Sequence, residues 1–372
     1  MKTAIVILNW NTEGFLDRFL PPLLSSVRDI DGAEVIVADN ASTDGSLRLL
    51  KEKFPHVRTI AFDRNYGFTG GYNRALREIE ADYYVLINSD IEVRSGWLEP
   101  MISWMENNPD CGACAPKLYS WHDKTKFEYA GGAGGHIDCY GYPFCRGRIM
   151  NMVEADNGQY EKYSNKVFWV SGACLMVRSG LFHDLGGFDE RFFAHMEEID
   201  LCWRMQLYGY SVCVISDSVV YHVGGGTLPA SSPYKLYLNY RNNLLMLNNN
   251  TAKTLALMYS SMGFSPEVAA AKAMDKADRR IWARMNLDAL SSAAYLMTFR
   301  FKAFLSVWKA HISYWKSKEV IKHEELVDFV NGTGKTEING IYRKSVILRA
   351  VIYRWKVFQK LKDIDFIKYH IR

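Results

Sequence analysis

The apolar run Tyr83-Tyr84-Val85-Leu86-Ile87 stops at Asn88-Ser89-Asp90. An acid at the carboxyl end of a buried strand lies where open α/β sheets bind ligands, and a carboxylate there needs a cation or a donor. A second acidic group, Glu197-Glu198-Ile199-Asp200, opens a helical stretch, and His222 closes a later strand-like run. Two carboxylate stations and a histidine suit a metal-assisted transfer with a separate general base. Acids at a helix start also complement its dipole, but three within four residues exceed what a cap needs.

Other strand ends are polar too. The first finishes at Asn9-Trp10-Asn11, the second at Asp39-Asn40-Ala41-Ser42-Thr43-Asp44. Helix capping explains Thr43 and Asp44 and leaves Asp39 unexplained; an acid there can accept an N–H from a nucleobase edge. In Arg64-Asn65-Tyr66-Gly67-Phe68-Thr69-Gly70-Gly71-Tyr72-Asn73, glycines at a loop-to-helix junction let backbone N–H groups approach a phosphate or sugar. Neither the dinucleotide fingerprint nor a P-loop is present. Cys111-Gly-Ala-Cys114 has no second CxxC pair to complete a zinc site and sits in an apolar run, so it reads as buried core thiols.

The elements that must position these residues alternate. Strand-like runs Ala4–Leu8, Glu34–Ala38, Val57–Phe62 and Tyr83–Ile87 are separated by helical stretches at about 13–27, 44–53 and 69–80, and a helix near 96–107 and a strand at 111–116 continue the series. That rhythm predicts an α/β fold with a mostly parallel sheet and crossover helices. Residues 117–165, rich in Gly and Tyr, predict an irregular segment, either an active-site flap or a surface excursion. A strand at Val167–Val177, a helix at about 197–209 and strands at Val212–Ile215 and Val219–His222 follow. Gly224-Gly225-Gly226, Pro229 and Pro233 mark a boundary, giving a catalytic domain over 1–230 and a basic, aromatic helical region over 231–372.

The net charge of +4 hides an asymmetry: residues 1–230 carry 21 Lys and Arg against 30 Asp and Glu, and residues 231–372 carry 24 against 11. The acidic half suits a metal and an anionic substrate bridged by it, the basic half an anionic surface. Basic charge without a binding module argues against nucleic acid. No secretory peptide is visible and nothing approaches the roughly 18 apolar residues of a membrane span. Seven irregularly spaced cysteines fit a reducing cytoplasm.

Five segments in order carry a resemblance: VADNASTDGS, NYGFTGGYNRAL, LINSDIEV, SGACLMVRSGLFHDLGGFDERFFAHMEEIDLCWRMQLYGY and VYHVGGG. Together they resemble family-2 inverting glycosyltransferases of the GT-A fold, nearest the bacterial rhamnosyltransferase-like branch, over about residues 3–250. The tail segments IWARMNLDALSSAAYLM and FKAFLSVWKAHISYWK are similar to the C-terminal helices of bacterial members. The resemblance implies that Asp39 recognises the base of a sugar nucleotide. Asn9, Trp10, Asn11, Asn65, Gly67, Asn73, Asn88 and Ser89 would line the donor pocket. Asn88-Ser89-Asp90 stands for the family's Asp-x-Asp with Asn88 replacing the first acid, so Asp90 alone brings full charge to Mg²⁺ or Mn²⁺, with His222 as a further ligand. Glu197-Glu198-Ile199-Asp200 stands for Glu-Asp-x-Asp, which makes Glu198 the general base, with Glu197 and Asp200 as support or alternatives. Burial among acids predicts a raised pKa for Glu198.

The implied donor is a dTDP- or UDP-sugar, rhamnose first and a hexose next. The implied acceptor is a glycan or lipid-linked saccharide of the bacterial cell envelope, met at the cytoplasmic face of the inner membrane. Competing readings are a non-catalytic sugar-nucleotide sensor and a sugar-phosphate nucleotidyltransferase; the latter would want a Gly-rich basic loop after the first strand, and Asn9-Trp10-Asn11-Thr12 is not one. In the tail, Phe301, Phe304, Trp308, Ile312 and Trp315 share a helical face beside a row of Lys302, Lys309 and Lys316. Residues 342–362 repeat that style. Such rows suit an in-plane interfacial helix over 300–362 or an aromatic stripe packed against the rest of the chain.

Overall fold

The computed structural model describes the chain apart from residues 162–164, 225–231, 335, 353, 355–356, 362–365 and 372, and gives the backbone alone for 367–371. The predicted second and third glycines of Gly224-Gly225-Gly226 and Pro229 lie outside the described residues.

Strand β1 (Thr3–Asn9) sets the architecture. Its Ala4 and Val6 enter one apolar core, and Ile5 and Ile7 enter another on the opposite face. A strand with both alternating faces buried belongs to the middle of a covered sheet. The chain continues through α1 (Glu13–Val27), β2 (Ala33–Asp39), α2 (Ser46–Lys53), β3 (Arg58–Ala61), α3 (Gly67–Arg77), β4 (Tyr83–Ile87), β5 (Ile91–Val93), α4 (Glu99–Asn107) and β6 (Cys111–Ser120). The short strands β7 (Gly135–Asp138), β8 (Pro143–Cys145), β9 (Arg148–Ile149) and β10 (Met152–Val153) then lead to β11 (Cys174–Arg178), α5 (Ser179–Asp184), α6 (Glu197–Leu207) and β12 (Ser211–His222). The eight-stranded sheet has the order β3-β2-β1-β4-β11-β6-β12-β5. β1 pairs in parallel with β2 and β4, whereas β11 and β5 run antiparallel to their neighbours. Helices α1, α2 and α4 cover one face; α3, α5 and α6 cover the other. Cys111 and Cys114 are buried thiols in the sheet.

The C-terminal region holds α7 (Pro233–Ser261), α8 (Pro266–Met297), α9 (Phe301–Ser317) and α10 (His323–Gly332), then β13 (Thr336–Tyr342), α11 (Val346–Ile352) and β14 (Phe366–Ile371). It is neither wholly helical nor separate. Leu244, Leu245 and Leu247 of α7 enter the core that also takes Ile199 and Trp203 of α6. β13 pairs in parallel with β7, building a second sheet of order β10-β9-β8-β7-β13-β14. The segment expected to be irregular therefore forms a small sheet completed by chain some 200 residues away. Three further expectations change. Of Val167–Val177 only the last four residues belong to a strand, β11, since Trp169 bridges singly to Gly135. The two strands expected before His222 are one, with a register shift between Ile215 and Val219. Tyr342 is a buried strand end, and the only α-helix described within 342–362 is the seven-residue α11.

Candidate active site

The ends of β1, β2 and β4 meet because their register aligns them; Asn9 sits opposite Asp39. Asn9 Nδ2 donates to Asp39 Oδ2 at 2.7 Å and to Ser42 Oγ at 3.0 Å, and Ser42 N donates to Asp39 Oδ1 at 2.8 Å. Asp39 is fully buried with both oxygens engaged, so it organises the turn after β2. Thr12 Oγ1 donates to Asn9 Oδ1 and lies 2.8 Å from Ser89 Oγ, joining this network to the Asn88-Ser89-Asp90 turn. Asn11 adopts a left-handed backbone (φ 54°) and its Oδ1 accepts from Thr43 N at 2.6 Å. Trp10 beside it is exposed. The predicted donor residues Asn9, Trp10, Asn11, Asp39, Asn88, Ser89 and Asp90 thus lie at neighbouring strand ends.

The amides of the glycine loop, expected to approach a phosphate or sugar, are engaged within the chain. Gly67 N donates to Asn65 Oδ1, and the next two amides, Phe68 N and Thr69 N, both donate to Phe193 O, at 2.7 and 3.2 Å. Gly67 has φ +73°, and a Cβ there would stand 2.5 Å from the Phe193 ring. Asn73 is likewise taken: its Nδ2 donates to Phe188 O and its Oδ1 accepts from Phe188 N, at 2.8 and 2.9 Å. Both features clamp α3 to the segment leading into α6. Asn40, which the sequence did not single out, holds the loop through Asn65 Oδ1, Gly67 O and Tyr66 N.

Asp90 and His222 are brought together by sheet pairing, since β5 opens at Ile91 opposite His222 of β12. Asp90 Oδ1 lies 3.2 Å from His222 Nε2, and Asp90 Oδ2 accepts from Gly224 N at 3.2 Å. The other imidazole nitrogen, Nδ1, faces Glu128 Oε1 at 3.4 Å. Glu128 also escaped sequence reading. Burial pushes the Asp90 carboxyl up, but the hydrogen bond and charge of His222 outweigh it and hold the group below its usual value. Burial would lower His222; the two carboxylates raise it to about 10. Among the described residues no three His, Cys, Asp or Glu side chains form a complete metal cage. A two-ligand site nevertheless fits: 3.2 Å between a carboxylate oxygen and an imidazole nitrogen is close to the edge of an octahedral shell with bonds of about 2.1 Å.

The second acidic station is held by a strained turn. Phe193, His195 and Met196 have φ of 62°, 71° and 74°, each costing on the order of 1–3 kcal/mol. Surroundings over-determine the turn: Asn242 Nδ2 reaches the carbonyls of Phe192, Ala194 and His195 at 2.9, 2.8 and 2.7 Å, and Arg241 binds those of Arg191 and Phe192. His195 Nε2 is buried without a partner, and burial, then the charge of Lys235, lowers its pKa to about 4.

The three acids that follow differ sharply. Asp200 is fully buried and satisfied: Oδ2 accepts from Arg204 Nε at 2.8 Å, and Oδ1 accepts from Asn249 and Asn250 at 3.1 and 2.8 Å. It ties α6 to α7 and has no oxygen available for proton transfer, which corrects its reading as an alternative base. Glu197 is buried with Oε2 unpartnered, and burial and then Glu198 push its carboxyl well above the usual range. Glu198 is partly exposed, its Oε2 has no partner, and burial raises its pKa to about 7. Its side chain starts beside Gly172 and the Phe68 ring; a Cβ on Gly172 would lie 3.6 Å from that of Glu198.

A Rossmann-like sheet with polar strand ends, a carboxylate–imidazole pair and a half-buried carboxylate with one oxygen unpartnered define a glycosyltransferase of the GT-A fold. Residues 4–181 match the model of Glycosyl transferase family 2. Residues 4–181 thus form a family-2 glycosyltransferase domain, and rhamnosyltransferases are among the proteins the chain is similar to. It is 28% identical over 243 residues to N-acetylglucosaminyl-diphospho-decaprenol L-rhamnosyltransferase of Mycobacterium tuberculosis, covering 60% of this chain and 76% of that protein. Rhamnosyltransferase WbbL of Escherichia coli is 25% identical over 219 residues, covering 55% and 77%. The solved structure of GalNAc-T7 with UDP, GalNAc and Mn²⁺ superposes with a TM-score of 0.50 at 15% identity. That alignment covers 66% of this chain and 47% of the GalNAc-T7 chain, about half its length.

Proposed function

We propose that the protein moves a single sugar, rhamnose from a dTDP carrier first and a UDP-hexose next, onto a glycan or lipid-linked saccharide, with inversion at the anomeric carbon. The observation that carries this reading is the division of labour between the two stations: the Asp90 carboxyl is held below its usual value beside His222, whereas Glu198 has one oxygen, Oε2, without a partner and is raised to about 7. The first suits a diphosphate-binding centre and the second a general base near neutrality. In the proposed reaction Glu198 takes the proton of an acceptor hydroxyl as that oxygen attacks the anomeric carbon. The bond to the diphosphate breaks on the opposite face, and one displacement inverts the configuration. Asp90 and His222 are the residues that would hold a divalent cation, Mg²⁺ or Mn²⁺, which when bound supplies Lewis-acid neutralisation of the leaving diphosphate. Asn9, Asp39 and Ser42 would shape the nucleotide end, with Asn11 and Trp10 at its rim.

Rhamnosyltransferase relatives, one of them named for a diphospho-decaprenol substrate, support an acceptor in bacterial cell-surface polysaccharide synthesis, reached at the inner face of the membrane through the basic tail. No helix among the described residues is long and apolar enough to cross a membrane. The test is nucleotide release from dTDP-rhamnose, UDP-glucose, UDP-galactose, UDP-N-acetylglucosamine and GDP-mannose with Mn²⁺, Mg²⁺ or EDTA. Metal-dependent release from one donor, lost in Asp90→Ala, is expected. Binding of none of the donors would overturn the reading of Asp39 and Asp90 together.

A further inference from the structure

Helix α9 turns its aromatic stripe outward. Phe301, Leu305, Trp308, Ile312 and Trp315 recur at helical spacing and are each 43–55% exposed, while Ala303, Ser306, Val307, Ala310 and Tyr314 form the opposite, buried face. A helix that packs through alanine, serine and valine while showing two tryptophans to solvent inverts the usual amphipathic arrangement. The apolar area does not end with α9. Leu290, Leu296 and Met297 of α8 and Phe299 in the connecting turn are exposed, and Trp282 of α8 lies against Trp315 with ring centroids 5.8 Å apart. Contiguous apolar surface of this kind marks an interaction site.

Charge identifies the occupant. Between Arg279 and Lys318 there are eight Lys and Arg against one acid, Asp288. Asp288 and its partner Arg284 are both buried in an ion pair, so seven basic residues and no acid remain for the outside between these bounds. Lys302, Lys309 and Lys316 are exposed in a row beside the aromatics. Aromatics flanked by lysines along one helix of about 25 Å match the boundary between acyl chains and anionic headgroups. A second copy of this chain would have to accept the same positive row against its own.

We propose that the outer face of the α8–α9 hairpin lies in the plane of an anionic lipid bilayer, with Phe299, Phe301, Trp308, Ile312 and Trp315 among the acyl chains and the lysine row on the headgroups. The hairpin turn borders a cavity of about 490 Å³ lined by Ser232, Pro233, Leu236 and Phe299–Ala303, at the start of the helix whose Asn242 holds the turn before Glu198. Helix α7 thus links the docking face to the turn that positions Glu198. This deepens the proposed lipid-linked acceptor but is tested without it.

The full-length protein is sedimented with phosphatidylcholine vesicles, with and without phosphatidylglycerol, in the absence of donor and acceptor. Binding to the anionic vesicles with a blue shift of tryptophan fluorescence is expected. Trp308→Ser with Ile312→Ser should weaken it at least about tenfold, and each lysine-to-glutamate change about fivefold or more. Donor hydrolysis in solution should be unchanged in these variants, since none of the residues belongs to the active site. Wild-type protein left in the supernatant, or variants that bind as wild type, would overturn the proposal. So would variants that convert a dimer to a monomer while vesicle binding stays unchanged, because the face would then belong to a second copy of the chain. A failure here leaves nucleotide release intact, so it is distinguishable from a failure of the glycosyltransferase reading.

Discussion

Replacing Glu198 by Gln should do two opposite things. The carboxyl is raised to about 7 mainly by burial, against an ordinary glutamate value near 4.3. A gap of roughly 2.7 pH units corresponds to about 3.7 kcal/mol at most, and partial exposure reduces this to about 1–2 kcal/mol. The sign follows from proton counting. Between the two pKa values the folded state binds more protons than the unfolded state, so the stability contributed by the protonated group is lost as pH rises from about 4.3 to about 7. Glu198→Gln, which cannot ionise, should therefore be more stable than wild type at pH 8 by about 1–2 kcal/mol, and the advantage should vanish by about pH 4. Removing the base should cost about 10²–10⁴ in turnover. In wild type, turnover should rise about tenfold per pH unit below about 7 and level off above it. Urea denaturation at both pH values and a pH–rate profile measure all of this. A Gln variant with wild-type turnover, or one less stable than wild type at pH 8, would refute both the pKa and the role.

Two further substitutions probe the neighbouring groups. Asp200→Ala removes the buried counter-charge of Arg204 and one acceptor each of Asn249 and Asn250, so thermal unfolding should register a loss of about 3–5 kcal/mol. Glu128→Gln removes the negative charge facing His222 Nδ1 and should weaken Mn²⁺ affinity in the presence of UDP about 10–100-fold, read by titration calorimetry.

What the sequence disclosed depended on whether the signal was local. α1 and β4 have the predicted bounds because their apolar spacing and flanking polar residues lie within the segment. The second sheet was hidden because its strands β7–β10 have only two to four residues each and are completed by β13. Thr336-Glu-Ile-Asn-Gly-Ile-Tyr342 does carry strand-like residues, but a strand-breaking glycine and basic flanks masked them. Val167–Val177 misled because an apolar run reads alike whether it is a strand or a buried crossing. At the site, Asp90, His222 and Glu198 were legible as acids or histidine at element ends. Asp200 was indistinguishable from its neighbours except for Arg204 four residues on, a helical ion pair that the sequence does display. Glu128, alone between Phe127 and Tyr129, had no spacing to announce it. The amides of the glycine loop read as open to a phosphate or sugar because the carbonyl that engages two of them, that of Phe193, lies 126 residues from Gly67.

The separation of the two carboxylate stations is tested most directly by calorimetric titration of UDP and dTDP with Mn²⁺ into wild type, Asp90→Ala and Glu198→Gln, with nucleotide release followed on the same samples. Asp90→Ala should lose metal-dependent nucleotide binding, and Glu198→Gln should bind as wild type yet fail to turn over. Normal metal-dependent binding by Asp90→Ala, or loss of binding in Glu198→Gln, would contradict the assignment of donor binding to one station and proton transfer to the other.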